Sequence, residues 1–141
     1  MTDEFSVHRL TPDELGLVYT SWSKGYRATS AAKHTPDRIY ITAQRAHMDR
    51  CIENGTTLVL TPPQDHDAAL GWVCFEQRAG LPVVHWLYTK ALCRGAGVAR
   101  TLLGLAGWMG GELVVTQWNS TCDEAVKRGV KLVFDPYLVG R

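Results

Sequence analysis

The stretch that most limits what this chain can fold into is RGAGVARTLL, residues 94–103, set between the strand-like run VVHWLYT and an apolar helical pattern. It reads as a glycine-rich turn leading from a strand into a helix. Such a turn can aim several backbone N–H groups at one point, and the positive end of the helix dipole favours an anion there. A phosphate or pyrophosphate is the natural guest, whereas the plainer reading is that Gly95 and Gly97 only permit tight turning. The same ten residues exclude two nucleotide-binding designs. GxxxxGK[ST] is absent, and a dinucleotide fingerprint would need a small residue where Arg100 stands.

The elements on either side follow from periodicity and punctuation. Residues 5–10 alternate as a strand, and Thr11-Pro12-Asp13-Glu14 supplies a cap, a first-turn proline and acids at a helix start. In that helix Leu15, Val18, Tyr19 and Trp22 share a face, Trp22 is expected in the core, and Gly25 offers a stop. Residues 24–34 read as a loop or broken helix closed by Pro36. A second helix is expected over 37–53, with Ile41, Arg45, Met48 and Ile52 at i, i+4, i+7 and i+11, ended by Asn54-Gly55. Strands follow at 56–61, 69–77 and 83–90, the last two forming a hairpin through Ala79-Gly80-Leu81-Pro82. A helix over 98–109, a strand over 112–117, a short helix over 120–128 and a strand over 131–134 complete the order β-α-α-β-β-β-α-β-α-β.

At 141 residues the chain fits one domain, spanning 1–141. It is 45% hydrophobic and 21% charged, an ordinary globular composition rather than a disordered one. Fifteen Lys and Arg against fourteen Asp and Glu leave a net charge of +1, so global charge selects no polyanionic partner. Cys51, Cys74, Cys93 and Cys122 are widely spaced, with no CxxC pair, which argues against structural zinc and for reduced core thiols. No metal site is expected. The N-terminus lacks a basic start and an apolar run, and no stretch of 18 apolar residues occurs. Together these lead to the expectation of a cytoplasmic protein that does not enter a membrane.

Arg94, Gly97 and Ala99 fit the pattern [RQ]xxGx[GA], with VVHWLYT ending five residues before Arg94 and ARTLL opening the next helix. By these residues and the element order, the chain resembles the GCN5-related N-acetyltransferases (GNATs) along almost its whole length. VYTSWSKGYR and FDPYLVG further resemble small acetyltransferase-like proteins of tailed bacteriophages, in which case the cytoplasm would be the host's. The family resemblance implies an α/β GNAT fold with a mixed sheet, in which two parallel strands, 83–90 and 112–117, splay at the acyl-CoA site. It implies acetyl-CoA as co-substrate, its pyrophosphate held by the amides of Arg94, Gly95, Ala96, Gly97, Val98 and Ala99. The pantetheine arm would lie along Leu87, Tyr88 and Thr89, since a strand whose neighbour diverges leaves N–H and C=O groups for an amide-containing ligand.

The resemblance also implies a departure. Many family members carry a tyrosine near the leaving sulfur, four residues before a Gly-Phe pair, and the corresponding position here is Ala125, before Gly129-Val130. A thiolate of pKa about 8.5 leaves tolerably without an acid, and Tyr137, Tyr88, Ser120 or Cys122 could substitute as one, with Tyr137 the candidate acid. His85 is the candidate base, because its ordinary pKa of about 6.5 suits neutral pH. By strand alternation it shares a face with Leu87 and Thr89, while Trp86 and Tyr88 point the other way and pack. Glu76 is a weaker base, expected to be solvated. Residues 22–38, carrying Lys24, Arg27, Lys33 and Arg38 against Asp37, would face an amine acceptor, an anionic one suiting the local charge. Three functions stay open: acetyl-CoA-dependent N-acyl transfer to a primary amine by direct attack, a GNAT-fold binding module without turnover, and a nucleic-acid-modifying protein. Oligomeric state is not encoded in any motif here.

Overall fold

A computed structural model describes residues 5–95 and 97–138. Its strands are β1 (Ser6–Arg9), β2 (Thr56–Thr61), β3 (Gly71–Arg78), β4 (Leu81–Thr89), β5 (Leu113–Val115) and β6 (Leu132–Phe134). Its helices are α1 (Leu15–Arg27), α2 (Asp37–Asn54), α3 (Val98–Leu105) and α4 (Ser120–Lys127). The six strands form one sheet in the order β1-β2-β3-β4-β5-β6. The first three pairings are antiparallel, and β4-β5 and β5-β6 are parallel. This is the mixed α/β architecture and element order expected from the sequence.

Hydrophobic patterning on both sides of the sheet separates the core in two. Val18, Trp22, Met48, Cys51, Val59, Trp72, Cys74 and Trp86 pack on the α1/α2 side. Leu60, Val73, Val84, Val98, Leu102, Leu113, Val115 and Cys122 pack on the α3/α4 side. Trp22 and Trp72 have no exposed surface, and burial of one such side chain stabilises by about 2 to 3 kcal/mol. All four cysteines are free thiols, three of them buried. Among the described residues no helix is long and apolar enough to cross a membrane.

Several boundaries differ from the sequence reading, each for a tertiary reason. Gly25 does not stop α1, which runs on to Arg27; a Cβ there would come within 2.8 Å of Trp86 Cζ2, so its role is to let an indole pass. In α2 the buried face is Tyr40, Gln44, Met48 and Cys51, while Ile41 is 65% exposed. The face is rotated because Tyr40 reaches α1, donating from its hydroxyl to Ser23 C=O at 2.6 Å and stacking on Tyr26. The β3-β4 hairpin turns on Ala79 and Gly80 alone, both at positive φ (53° and 78°), and Leu81-Pro82 already belong to the strand. The third helix ends at Leu105 rather than at 109, where Gly107 (φ 102°) redirects the chain.

The departure that matters most for a site lies in β4. Cys74 pairs with Trp86 and Phe75 with Val84, so His85 is an extra residue opposite a single step of β3. A bulge of this kind breaks strand alternation. His85 therefore turns to the α1/α2 side together with Trp86, not to the side of Leu87 as strict alternation requires.

Candidate functional site

Beyond the bulge, β4 and β5 part. Their ladder consists of Val83 with Val114 and Val84 with Val115, extended by Thr116 N–H donating to Val84 C=O at 3.2 Å. From there β4 continues for residues 86–89 paired to β3 on one side only, so its other edge offers unpaired N–H and C=O groups. The gap between the diverging strands opens into a cleft of about 1110 Å³.

The cleft gathers residues from four helices and strands. β4 contributes Trp86, Leu87, Tyr88 and Thr89; the turn and the start of α3 contribute Arg94, Gly95, Gly97, Val98, Ala99 and Arg100. α1 supplies Leu17, Thr20, Ser21, Lys24 and Gly25, and the start of α4 supplies Asn119, Ser120 and Thr121, with Arg128 just beyond its end. Of the positions expected to contact a cofactor, Leu87, Tyr88, Thr89, Arg94, Gly95, Gly97, Val98 and Ala99 thus line one space, and Ala96 lies outside the described residues. Lys24, in the segment expected to face an acceptor, and Ser120, a candidate acid, line the cleft as well, whereas Leu17, Thr20, Ser21, Asn119 and Thr121 have no signal in the sequence, because only the folding of distant segments onto β4 brings them there.

The turn is shaped for an anion. Gly95 and Gly97 hold φ of 86° and 85°, a region that residues with a Cβ rarely adopt. Among the described residues the first α3 hydrogen bond runs from Thr101 N–H to Gly97 C=O at 3.0 Å, so within them the N–H groups of Val98, Ala99 and Arg100 have no intrahelical acceptor at the positive end of the helix. Lys24, Arg94, Arg100 and Arg128 line the cleft, no carboxylate does, and none of the four is ion-paired among the described residues. Such a lining suits a ligand with several negative charges.

The structure places the two candidate catalytic residues elsewhere. His85 is buried at the head of the cleft rather than lining it. Its Nδ1 lies 2.8 Å from Thr116 Oγ1 and its Nε2 2.8 Å from Glu76 Oε2. A carboxylate only accepts, so Nε2 carries the proton and Nδ1 accepts from the Thr116 hydroxyl. Burial pushes the His85 pKa below the ordinary histidine value, and the bond to Glu76 offsets part of this. Glu76 is not solvated as expected; it also accepts from Arg78 Nε at 3.0 Å, and its side chain is only 14% exposed. The bulge explains this, since it turns His85 onto the side of the sheet that Glu76 occupies.

Tyr137 lies in the turn after β6, 78% exposed and outside the cleft lining. Tyr88 and Ser120 do line the cleft, whereas Cys122 is buried, with its pKa raised by desolvation, which opposes a reactive thiolate. Trp86 and Tyr88 pack, as expected, and border the cleft as well. In the basic segment, Arg27 donates to Asp37 at 2.6 Å and to Ala32 C=O at 3.0 Å while lying over the Tyr40 ring. Of its cations, Lys24 alone lines the cleft.

No family model matches the sequence, and no curated protein matches it. Solved structures do. The fold is similar to that of YjaB from Escherichia coli in its apo form, at 20% identity over 88% of this chain and 78% of that one, with a TM-score of 0.56. It is similar to a Pyrococcus furiosus protein described as an acetyl transferase, at 14% identity over 94% and 82%, TM-score 0.54. A Staphylococcus aureus protein described as a GNAT-family acetyltransferase matches at 13% identity over 70% and 86%, TM-score 0.52. The chain spans from 62% to 86% of the lengths of the structures it resembles. With its splayed parallel strands and its strand-turn-helix at the mouth of the gap, this chain has the fold of the GCN5-related N-acetyltransferases.

Proposed function

We propose that this protein binds acetyl-CoA in the cleft between β4 and β5 and transfers the acetyl group to a primary amine. The observation that carries the reading is the pairing of a glycine turn and unpaired cations at one end of the cleft with an unpaired strand edge along its length. Coenzyme A is a linear molecule with phosphates at one end, amides along its arm and the acyl thioester at the other. Its phosphates match the free N–H groups of Val98, Ala99 and Arg100 together with Arg94, Arg100 and Arg128. Its amides match the edge of residues 86–89, and the thioester then lies toward the head of the cleft, beside Trp86.

The donor supplies an acyl carbon already activated as a thioester. An edge N–H of β4 can donate to the carbonyl oxygen as negative charge develops on it, an effect worth roughly 3 kcal/mol in comparable sites. The amine forms the new C–N bond as the C–S bond breaks, and its proton must leave. Thr116 and His85 are buried behind the cleft lining, so the Thr116–His85–Glu76 chain would take that proton through an intervening water, with Glu76 stabilising the imidazolium that forms. Ser120 and Tyr88 are the cleft hydroxyls available to protonate the sulfur. A thiolate of pKa about 8.5 leaves tolerably without them, so their loss would cost less than loss of the turn.

Calorimetric titration with acetyl-CoA tests the reading, with thiol release in the presence of an amine panel as the turnover assay. Gly97→Asp adds a strained residue and a negative charge where phosphate must approach. It should abolish binding while leaving the circular-dichroism spectrum unchanged. Equal affinity in the folded variant would refute the assignment. Binding of acetyl-CoA without thiol release toward any amine would leave a binding module.

A further inference from the structure

At the head of the cleft one β4 side chain, Trp86, is packed tightly from behind by other aromatic rings. Trp86 is the innermost β4 residue of the cleft lining, two positions past the end of the β4-β5 ladder, and it is only 6% exposed. Behind it the Trp22 ring lies nearly parallel, centroids 6.3 Å apart and planes at 17°, and the Tyr26 ring meets it edge-on at 6.1 Å. From α1, Gly25 backs the indole so closely that an added Cβ would fall 2.8 Å from Cζ2. Trp22 is fully buried and tied across the gap, its Nε1–H donating to Gln117 Oε1 just past the end of β5 at 2.7 Å. Close packing of this kind transmits bulk rather than absorbing it.

Resting on the acetyl-CoA reading above, we propose that Trp86, backed by Trp22 and Gly25, is the residue that limits the acyl group to a short chain. The thioester end of the donor points at this wall, so each added methylene must displace an indole that cannot retreat. The protein is therefore selective for acetyl over medium-chain acyl donors, and the selectivity is built on the donor side, independent of the acceptor.

The test is equilibrium binding of CoA, acetyl-CoA and hexanoyl-CoA to the whole chain by calorimetry. The wild type should bind hexanoyl-CoA at least about tenfold more weakly than acetyl-CoA, within the discrimination that pocket size affords. Trp86→Leu should raise the affinity for hexanoyl-CoA relative to acetyl-CoA by about tenfold or more, a ratio in which any loss common to both donors cancels. Should the leucine variant not fold, Trp86→Phe, which keeps a ring but shortens it, should shift the ratio in the same direction by a smaller factor. If the wild type binds CoA yet treats both acyl donors alike, or if the folded variant leaves their ratio unchanged, the proposal fails while the cofactor reading stands. If the wild type binds neither CoA nor acetyl-CoA, the cofactor reading itself fails.

Discussion

The two halves of β4 share one backbone and have opposite fates. In the first half, Val83 and Val84 are paired on both sides, with β3 and with β5, and both are buried. In the second, residues 86–89 are paired with β3 alone and line a cleft. Composition does not separate them, since both halves are rich in β-branched and aromatic residues that suit a strand. What separates them is the single extra residue between, His85. Its side chain holds β3 through Glu76 and the chain after β5 through Thr116, so the point where the sheet opens is also pinned across three strands. A sheet can expose an unpaired edge to a ligand when the point of divergence is held this firmly.

The largest effect should come from removing that pin. His85→Leu leaves the buried Thr116 hydroxyl without its acceptor and takes one partner from Glu76, and each buried polar group left without its partner typically costs about 1 to 3 kcal/mol, more for a carboxylate. The partial exposure of Glu76 and its remaining Arg78 bond favour the lower end. Urea denaturation measures it, and a loss below about 1 kcal/mol would show that the halves diverge without the pin.

A smaller effect sharpens the contrast from beneath the sheet. His47, on α2, packs edge-on against Trp22 at 6.0 Å and is near enough to His85 to be disfavoured by its charge. Unlike His85 it has no carboxylate partner among the described residues; burial first, and then the charges of His85 and Arg50, bring its pKa down to about 4. A folded pKa below the unfolded 6.5 means that the unfolded chain binds more protons in between. The stability from neutral His47 is thus complete above pH 6.5 and is lost as the pH falls from 6.5 toward 4, by about 2 to 3 kcal/mol. His47→Gln should flatten that part of the stability curve. Parallel curves for wild type and variant would assign the acid loss to other groups.

The smallest change targets the open half alone. Arg100→Ala should lower acetyl-CoA affinity about tenfold, about 1.4 kcal/mol, and reduce the salt dependence of binding, with no change in urea midpoint. An unchanged affinity would remove Arg100 from the proposed phosphate site.

How much of this was legible beforehand follows the same division. The element order and the turn were readable because they rest on local signals: proline and glycine punctuation, period-two runs, and Arg94, Gly97 and Ala99 in a short motif. The bulge was not, since a bulge is a relation between two strands, and nothing in VVHWLYT announces that His85 faces no partner. Strict alternation without the bulge puts His85 on the opposite face of the sheet and leaves Glu76 in solvent. The buried face of α2 departs from its hydrophobic periodicity because Tyr40 and Gln44 go inward while Ile41 stays out, a choice made by the Tyr40 bonds to α1 rather than by hydrophobicity. Of the α1 and α4 walls only Lys24 and Ser120 are legible, by charge and by hydroxyl chemistry; Leu17, Thr20, Ser21, Asn119 and Thr121 are not, because they lie far along the chain from the turn they face.

The placement of the tryptophans gives the molecule an optical consequence. Trp22, Trp72 and Trp86 are buried together, with ring centroids 5.5 and 6.3 Å apart along the chain of contacts, whereas Trp108 and Trp118 are half-buried on the other side of the sheet. Of the five, Trp86 alone borders the cleft among the described residues. Its neighbours are close enough to exchange excitation with it, so a change at the cleft wall is felt by the whole buried group. A donor settling against that wall should change the blue-shifted part of the emission and leave the red-shifted part, from Trp108 and Trp118, as an internal reference; the protein carries its own ratiometric titration signal, without a label.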